Sequence, residues 1–253
     1  MRRRPDTGPP APPPPAGPLR VVAFERAAGA RHMAVDTALL TIAASTTLRL
    51  YAWTPPALSL GWFQDVGDVS AYRSAGYDVV RRPTGGGAVI HHHEVTYAFV
   101  VSADHPGLVG LSTEESYAVI HAPVIAALSS LGADVVAPTS SPPPSGGPDG
   151  PRLCFDRTAS VDLVHGGKKV VGSAQRRLGR RIMQHGSIIL RTNSFQPSTG
   201  SLEDVLGTSV DPERVATAVE AAFLDAFGPG RRGSLDDEER ALAAHLEPEF
   251  GIP

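Results

Sequence analysis

Short strand-like segments that follow one another through tight turns are the feature that most restricts how this chain can fold. Residues Thr47–Trp53 alternate, with Leu48, Leu50 and Ala52 on one side and larger polar-tipped side chains on the other, which is typical of a strand. The pair Gly166-Gly167 separates two further strand-like runs and fits a hairpin turn. Since helical runs are inserted between such strands, the order of segments predicts an α/β (α+β) fold. In that fold a mixed, largely antiparallel sheet is flanked by helices.

The period of the apolar residues places the remaining segments. Ser112 and Glu115 have the spacing of a capping box at the start of the longest helical run. Helical runs predict helices at residues 33–44, 65–75, 112–131, 211–227 and 234–245. Short apolar or alternating runs predict strands at residues 19–24, 77–81, 88–102, 161–165, 168–174 and 182–191.

Two proline-rich stretches divide the chain. Residues 1–18 contain eight of the 24 prolines and almost no apolar side chain, which predicts a disordered or polyproline arm outside the fold. Residues 138–151 contain six more prolines and are expected to form a loop, because neither flanking segment is complete enough to close a core alone. Residues 19–253 are therefore expected to form a single domain.

Charge, hydropathy and cysteine content exclude several classes of protein. A net charge of −3 gives no reason to expect nucleic acid as a partner. No window approaches the roughly 20 apolar residues of a membrane span, and the N-terminus lacks the apolar core of a signal peptide. We therefore expect a cytoplasmic protein. One cysteine excludes an intrachain disulfide and any multi-cysteine metal site.

The single cysteine and the two lysines are the first candidates for chemistry. Cys154 lies between Arg152 and Arg157, which would favour its thiolate form, although a buried, inert thiol is the alternative. Lys168 and Lys169 are adjacent, so in a strand they point to opposite sides. The inward one could polarise a carbonyl or balance an anion. An ordinary charged hairpin turn is the alternative.

Residues 81–91 (RRPTGGGAVIH) carry the sharpest local signal. Three consecutive glycines let a ligand approach the main chain closely. Arg81 and Arg82, just before them, could grip a phosphate or carboxylate in fork geometry. The pattern favours a loop that cradles a ligand over the alternative, a flexible turn between strands.

A run of three histidines follows the glycine loop. Adjacent strand residues point to opposite faces, so at most His91 and His93 could share a metal ion. Because no cysteine or carboxylate has a fitting spacing, no metal site is predicted. One histidine turned into a pocket, with the others solvated, is the favoured interpretation.

Together these segments resemble the lipoate-protein ligase and octanoyltransferase family. Residues 81–91 look like its arginine-arginine-x-x-glycine-glycine signature, which ends in a histidine. Residues 33–40 and 49–64 are similar to its opening helix and second strand pair, and residues 167–187 to its lysine-bearing segment. The resemblance spans roughly residues 20–227. It implies the lipoate/biotin ligase catalytic-domain fold, related to class II synthetase cores, for residues 19–253.

The family contains two chemistries. ATP-dependent ligases activate lipoate as an adenylate and commonly carry a further C-terminal domain, for which this chain leaves no room. Octanoyltransferases move octanoyl from acyl carrier protein through a thioester on cysteine. Residues 153–156 (LCFD), with Cys154 15 residues before Lys169, look like the nucleophile segment of the cysteine-dependent octanoyltransferases. Gly87, in contrast, resembles the ligases, because many cysteine-dependent members have arginine there.

The resemblance implies an octanoyltransferase that needs no metal and no nucleotide cofactor. Cys154 would be the nucleophile, and Lys169 would hold the carbonyl oxygen or assist the thiolate. The donor would be octanoyl-acyl carrier protein, and the acceptor the glycine-cleavage H protein or another lipoyl domain. An ATP-dependent lipoate or octanoate ligase and a non-catalytic scaffold for such carriers are the alternatives. The implied substrate-binding residues are Arg82, Gly85, Gly86, Gly87, Ala88, His91, Gly172, Ser173, Ala174 and His185.

Overall fold

The computed structural model describes residues 17–138, 153 and 161–253. The predicted arm at 1–18 and loop at 138–151 therefore lie outside the described residues, apart from residues 17, 18 and 138. Cys154 also lies outside them.

Ten strands and six helices alternate along the described segments. The strands are β1 (Leu19–Ala27), β2 (Thr47–Trp53), β3 (Ala57–Leu60), β4 (Asp78–Arg81), β5 (Val89–His91), β6 (Glu94–Ser102), β7 (Leu163–His165), β8 (Lys168–Leu178), β9 (Arg181–Ile189) and β10 (Gly230–Gly233). The helices are α1 (Gly29–Ile42), α2 (Ser70–Ser74), α3 (Thr113–Ser130), α4 (Leu202–Leu206), α5 (Pro212–Phe227) and α6 (Asp237–Leu246), followed by a short 3₁₀ turn at Glu247–Glu249.

Seven strands form the main sheet, in the order β10-β1-β2-β6-β9-β8-β7. β1 pairs in parallel with β10 and β2. The other neighbours in this sheet, along the series β2-β6-β9-β8-β7, pair antiparallel. The prediction of a mixed, largely antiparallel sheet flanked by helices is confirmed.

Helices cover both faces of the main sheet. In β6, Val95, Tyr97 and Phe99 pack in one apolar cluster with α3 and α5. Ala98 and Val100, which alternate with them, pack in a second cluster with α1 and α6. All seven residues of β2 are buried for this reason, including Arg49 and Tyr51 on the side that carries the polar-tipped residues.

A second, three-stranded sheet lies against the main one. β3 pairs in parallel with β4 and antiparallel with β5. Its apolar side chains, among them Leu58, Val79 and Ile90, form a third cluster. Trp53 of β2 stacks on His91 of β5, with ring centroids 3.7 Å apart, and so joins the two sheets.

Most predicted elements are found, and the differences have local causes. The capping box of α3 forms as predicted, with Ser112 and Glu115 each accepting from the other's backbone N–H. The helix predicted at 65–75 contracts to Ser70–Ser74. β10 was not predicted because its sequence, GRRG, has neither apolar alternation nor a β-branched residue.

None of the described helices is long and apolar enough to cross a membrane.

Candidate active site

A cavity of about 310 Å³ lies between the two sheets. This volume is at the lower end of the range typical of small-molecule sites. Its lining residues come from α1, α3, the glycine loop at 82–87 and strands of both sheets. They are Met33, Tyr51, Trp53, Ser59, Arg82, Gly85, Gly86, Val89, His91, Thr96, Tyr117, Gly172, Ser173, Ala174, Gln175, His185, Gly186 and Ser187.

Eight of the ten residues implied as substrate-binding line this cavity, although they are separated by up to about a hundred residues in the chain. Gly87 and Ala88 are not among the described lining residues. The carbonyl of Gly87 accepts a hydrogen bond from Arg82, at 2.7 Å. Ala88 is buried and pairs through a β-bridge with Leu153.

The two arginines before the glycine triplet donate to main-chain carbonyls. The guanidinium of Arg82 donates to the carbonyls of Ser59, Gly85 and Gly87 at 2.7–2.9 Å. Arg81 donates to the carbonyls of Gly61, Trp62 and Gln64 at 2.7–3.1 Å. In this structure Arg81 holds the loop at 61–64, and Arg82 joins the glycine loop to Ser59 of β3 at the edge of the cavity. Their binding of a phosphate or carboxylate stays a prediction.

Close contact between the two loops requires glycine. A Cβ on Gly61 would lie 2.0 Å from the carbonyl oxygen of Gly86, so no larger residue fits without displacing the glycine loop. Gly86 itself has φ +98°, a conformation that side chains disfavour. In this structure, the group that approaches the main chain of the glycine loop closely is therefore the main chain of the other loop, at Gly61.

His91 lies in the cavity wall between a hydroxyl and a carboxylate. Its Nε2 is 2.7 Å from Ser59 Oγ, and its Nδ1 is 2.7 Å from Oε1 of Glu94. The same oxygen of Glu94 accepts from the hydroxyls of Thr96 and Ser187. Burial lowers the pKa of His91, although Glu94 opposes this effect. A neutral ring with its proton on Nδ1 fits these contacts.

The neighbouring histidines lie outside this wall. His92 and His93 are half-buried and stack on each other, with centroids 3.9 Å apart. His92 also contacts the hydroxyl of Tyr77 at 2.8 Å. The expectation of one histidine in the pocket holds for His91, but its neighbours are less solvated than expected. Within the described ranges no group of three His, Cys, Asp or Glu could hold a metal ion.

His185, on β9, connects a buried carboxylate to the glycine loop. Its Nδ1 is 3.2 Å from Oδ2 of Asp36, and its Nε2 is 2.8 Å from Oγ1 of Thr84. Asp36 is fully buried on α1 and also accepts from Arg49 and Tyr51, at 2.9 and 2.8 Å. Burial alone would raise the pKa of Asp36, but the hydrogen bond from His185 and the charge of Arg49 lower it below its ordinary value.

A buried histidine completes the surroundings of Arg49. His32 donates from Nε2 to the carbonyl of Ala52, and its Nδ1 accepts from Arg49 at 2.7 Å. Burial and the positive charge of Arg49 lower the pKa of His32 to about 3. The ring is therefore neutral at physiological pH and serves as an acceptor for the guanidinium.

Ser173 forms a separate polar contact at the cavity. Its hydroxyl is 2.8 Å from that of Tyr97 and 2.9 Å from Nε2 of His121 on α3. Gln184 donates to the Tyr97 hydroxyl at 2.7 Å. Burial lowers the pKa of His121 to about 4, so this ring is also neutral.

The two lysines are divided as strand alternation predicts. Lys168 is exposed, whereas Lys169 is 3 % exposed and pairs with Asp162 at 2.9 Å. Lys169 is not among the described residues that line the cavity. It lies three residues before Gly172 on β8, about 10 Å along the strand.

Comparison with known proteins identifies the family. A model of the lipoyl protein ligase A/B catalytic domain matches residues 28–215. The chain belongs to this family. An octanoyltransferase LipM of Kyrpidia tusciae is 38% identical over 91% of this chain and 95% of its own length. The corresponding protein of Moorella thermoacetica is 35% identical over 87% and 90%.

The solved structures show that this member of the lipoyl protein ligase A/B family has the expected fold. The bi-partite lipoate protein ligase of Thermoplasma acidophilum, described with its E2 lipoyl domain, matches with a TM-score of 0.72 at 17% identity. The match covers 92% of each chain. The lipoate ligase catalytic fold implied by the resemblance is thereby confirmed.

Sequence reasoning missed the polar residues beneath the cavity of this family member. Asp36 is the one charged residue in the apolar run MAVDTALL, and Arg49 and Tyr51 were assigned to the polar side of β2. A charged residue inside an apolar helical run signals a buried partner, because an unpaired buried charge is costly. That signal indicates burial but does not identify the partner.

Proposed function

We propose that this enzyme is an acyltransferase that moves an octanoyl group to a lysine of a lipoyl-domain protein in lipoate biosynthesis. Its similarity to octanoyltransferases over nearly their whole length carries the proposal. The cavity supports it, since small residues such as Gly172 and Ala174 leave room beside the apolar surfaces of Met33 and Val89. We place the reaction in the cytoplasm, where a single cysteine stays reduced.

In the first proposed step, octanoyl moves from acyl carrier protein to Cys154. The thiolate sulfur attacks the thioester carbonyl, a new carbon–sulfur bond forms, and the carrier thiolate leaves. The position of Leu153 supports this assignment. Leu153 directly precedes Cys154 in the sequence and pairs with Ala88, which is next to the lining residue Val89.

In the second proposed step, the lysine amine of the acceptor attacks the acyl-enzyme. A carbon–nitrogen bond forms, the bond to Cys154 breaks, and the proton lost by the amine neutralises the departing thiolate. Lys169 would stabilise negative charge on the carbonyl oxygen during both steps. Its ion pair with Asp162, 2.9 Å long, restricts the position of the ammonium group. The glycine-cleavage H protein is the acceptor we propose among lipoyl-domain proteins.

An ATP-dependent ligase is the second candidate, because Gly87 matches the ligase form of the glycine triplet. Mass spectrometry after mixing the protein with octanoyl-acyl carrier protein separates the two. We expect a covalent octanoyl adduct without ATP, and none with Cys154→Ala. No adduct, together with ATP-dependent modification of a lipoyl domain by Cys154→Ala, would establish the ligase. Absence of both would leave a non-catalytic scaffold.

The adjacent lysines provide a matched control for the second residue of the proposed site. Lys169→Ala should lose transfer, whereas the exposed Lys168→Ala should keep it. Circular dichroism identifies the temperature at which both variants are folded, because Lys169→Ala leaves a buried carboxylate without its ion-pair partner. Full transfer by folded Lys169→Ala would remove this lysine from the mechanism.

A further inference from the structure

We propose that His185 is a positioning residue that holds the glycine loop over the cavity by linking the carboxylate of Asp36 to the hydroxyl of Thr84. We call this series of contacts, Asp36–His185–Thr84, the relay. This inference rests on the proposed function, because it assigns the way in which the acyl site is kept closed. It differs from the role in substrate binding that the family resemblance implies for His185.

The near end of this relay is fixed in place. Asp36 is fully buried, and its Oδ1 accepts from Arg49 while its Oδ2 accepts from Tyr51. The Arg49 guanidinium lies 4.1 Å from the centroid of the Tyr51 ring and is itself buried. A carboxylate held by two donors on a neighbouring strand cannot turn, so it offers His185 a fixed acceptor.

Hydrogen bonds connect this carboxylate to the glycine loop through the ring of His185. The ionised carboxylate of Asp36 only accepts, so His185 Nδ1 carries the proton. On the other side of the ring, Nε2 lies 2.8 Å from Oγ1 of Thr84, within hydrogen-bond distance. The oxygen of that hydroxyl also accepts from Nε of Arg82, at 3.2 Å. The hydrogen bonds therefore run without interruption from Asp36 through His185 and Thr84 to Arg82.

Thr84 is the point where the relay reaches the loop. It is 1 % exposed, and its carbonyl accepts from the backbone N–H of Trp62, at 2.9 Å. Gly85 and Gly86, which follow directly, are exposed at the cavity edge. Fixing Thr84 therefore fixes the start of this pair of glycines, whose other contacts are the hydrogen bond from Arg82 to Gly85 and the packing of Gly61 on Gly86.

The relay makes a prediction that direct substrate binding does not. Thr84 is not among the described residues that line the cavity, whereas His185 lines it. Thr84→Val keeps the branched shape of the side chain and replaces its hydroxyl with a methyl group. If His185 acts through Thr84, the two residues are coupled, and removing either one releases the same loop.

The test measures hydrogen exchange of the Trp62 amide, which donates to the Thr84 carbonyl, by mass spectrometry, and kcat/KM for acyl-enzyme formation. We expect Thr84→Val and His185→Ala each to speed this exchange and to lower kcat/KM about tenfold, with the double variant no worse than either single one. Thr84→Ser, which restores the hydroxyl, should recover the slow exchange and most of kcat/KM. The ratio of rates for hexanoyl, octanoyl and decanoyl donors should stay unchanged.

Wild-type exchange in Thr84→Val would overturn the proposal. So would a changed chain-length ratio in His185→Ala alone, because that result would place the ring against the acyl chain. Should the wild-type protein form no acyl-enzyme, the proposed function fails, whereas the exchange measurement still decides whether the relay holds the loop.

Discussion

Buried ionisable side chains around the cavity are held in one protonation state by their surroundings. Asp36 stays ionised because His185 and Arg49 stabilise its charge, while His32 and His121 stay neutral because burial disfavours their charged forms. The charges of these three side chains therefore change little near neutral pH. Its response to acid comes from histidines that must take up protons when the chain unfolds.

His121 gives a prediction on stability against pH. Its pKa is about 4 in the folded protein and 6.5 in an unfolded chain, so the unfolded state alone binds the proton between these values. The contribution of His121 to the free energy of unfolding is therefore at its maximum above pH 6.5 and is lost progressively as the pH decreases from 6.5 toward 4. His121→Gln should remove about 1.4 kcal/mol per pH unit from this dependence, measured by urea unfolding at pH 7, 6 and 5.

Ser173→Ala is the control for this prediction. It removes the same hydrogen bond but keeps the imidazole, so its stability should depend on pH as in the wild type. Equal pH dependence in His121→Gln and in the wild type would show that this ring does not contribute.

The loops at 61–64 and 82–87 act as one element at the cavity edge. Arg81 donates to carbonyls of the first loop and Arg82 to carbonyls of the second, and Gly61 contacts Gly86 without space for a side chain. Neither loop has regular secondary structure, so these contacts supply the hydrogen bonds that a helix or strand would have provided.

Gly61→Ala tests this contact between the loops. The new Cβ would overlap the carbonyl oxygen of Gly86, so we expect a loss of about 1–3 kcal/mol in the free energy of unfolding and slower acyl-enzyme formation. Gly85→Ala is the control for stability, because a Cβ there has no neighbour within 4 Å. Equal unfolding curves for the two variants would contradict the prediction.

The elements were predictable from the sequence to the extent that their signals are local. The period of β2, the capping box at Ser112 and the alternation that separates Lys168 from Lys169 each involve neighbouring residues. The relay was not predictable, since Asp36 and His185 are 149 positions apart and only the packing of α1 on β9 brings them together. β10 was missed because it is stabilised by pairing with β1 and not by its own composition.

The whole molecule is organised around a cavity that neither sheet forms alone. The main sheet supplies Trp53 and Ser187, the small sheet supplies Ser59 and His91, and α1 contributes Met33. A ligand there contacts elements from distant parts of the chain. Its binding energy is therefore added to the stability of the folded state as a whole.

Free octanoate gives a measurement of this coupling. Above its dissociation constant, it should raise the free energy of unfolding by about 1.4 kcal/mol for each tenfold increase in concentration, as measured by thermal or urea unfolding. Ala174→Leu fills part of the cavity and should abolish the effect. An equal gain in this variant would show that octanoate binds elsewhere.

The two arginines at the cavity edge also affect which neighbouring side chains can be substituted. Arg81 and Arg82 bind main-chain oxygens, which every amino acid possesses. Side chains at positions such as Trp62 and Gly87 can then be exchanged without loss of those bonds. Substitutions at such positions would therefore change the chemistry of the cavity edge while the arginines preserve its shape.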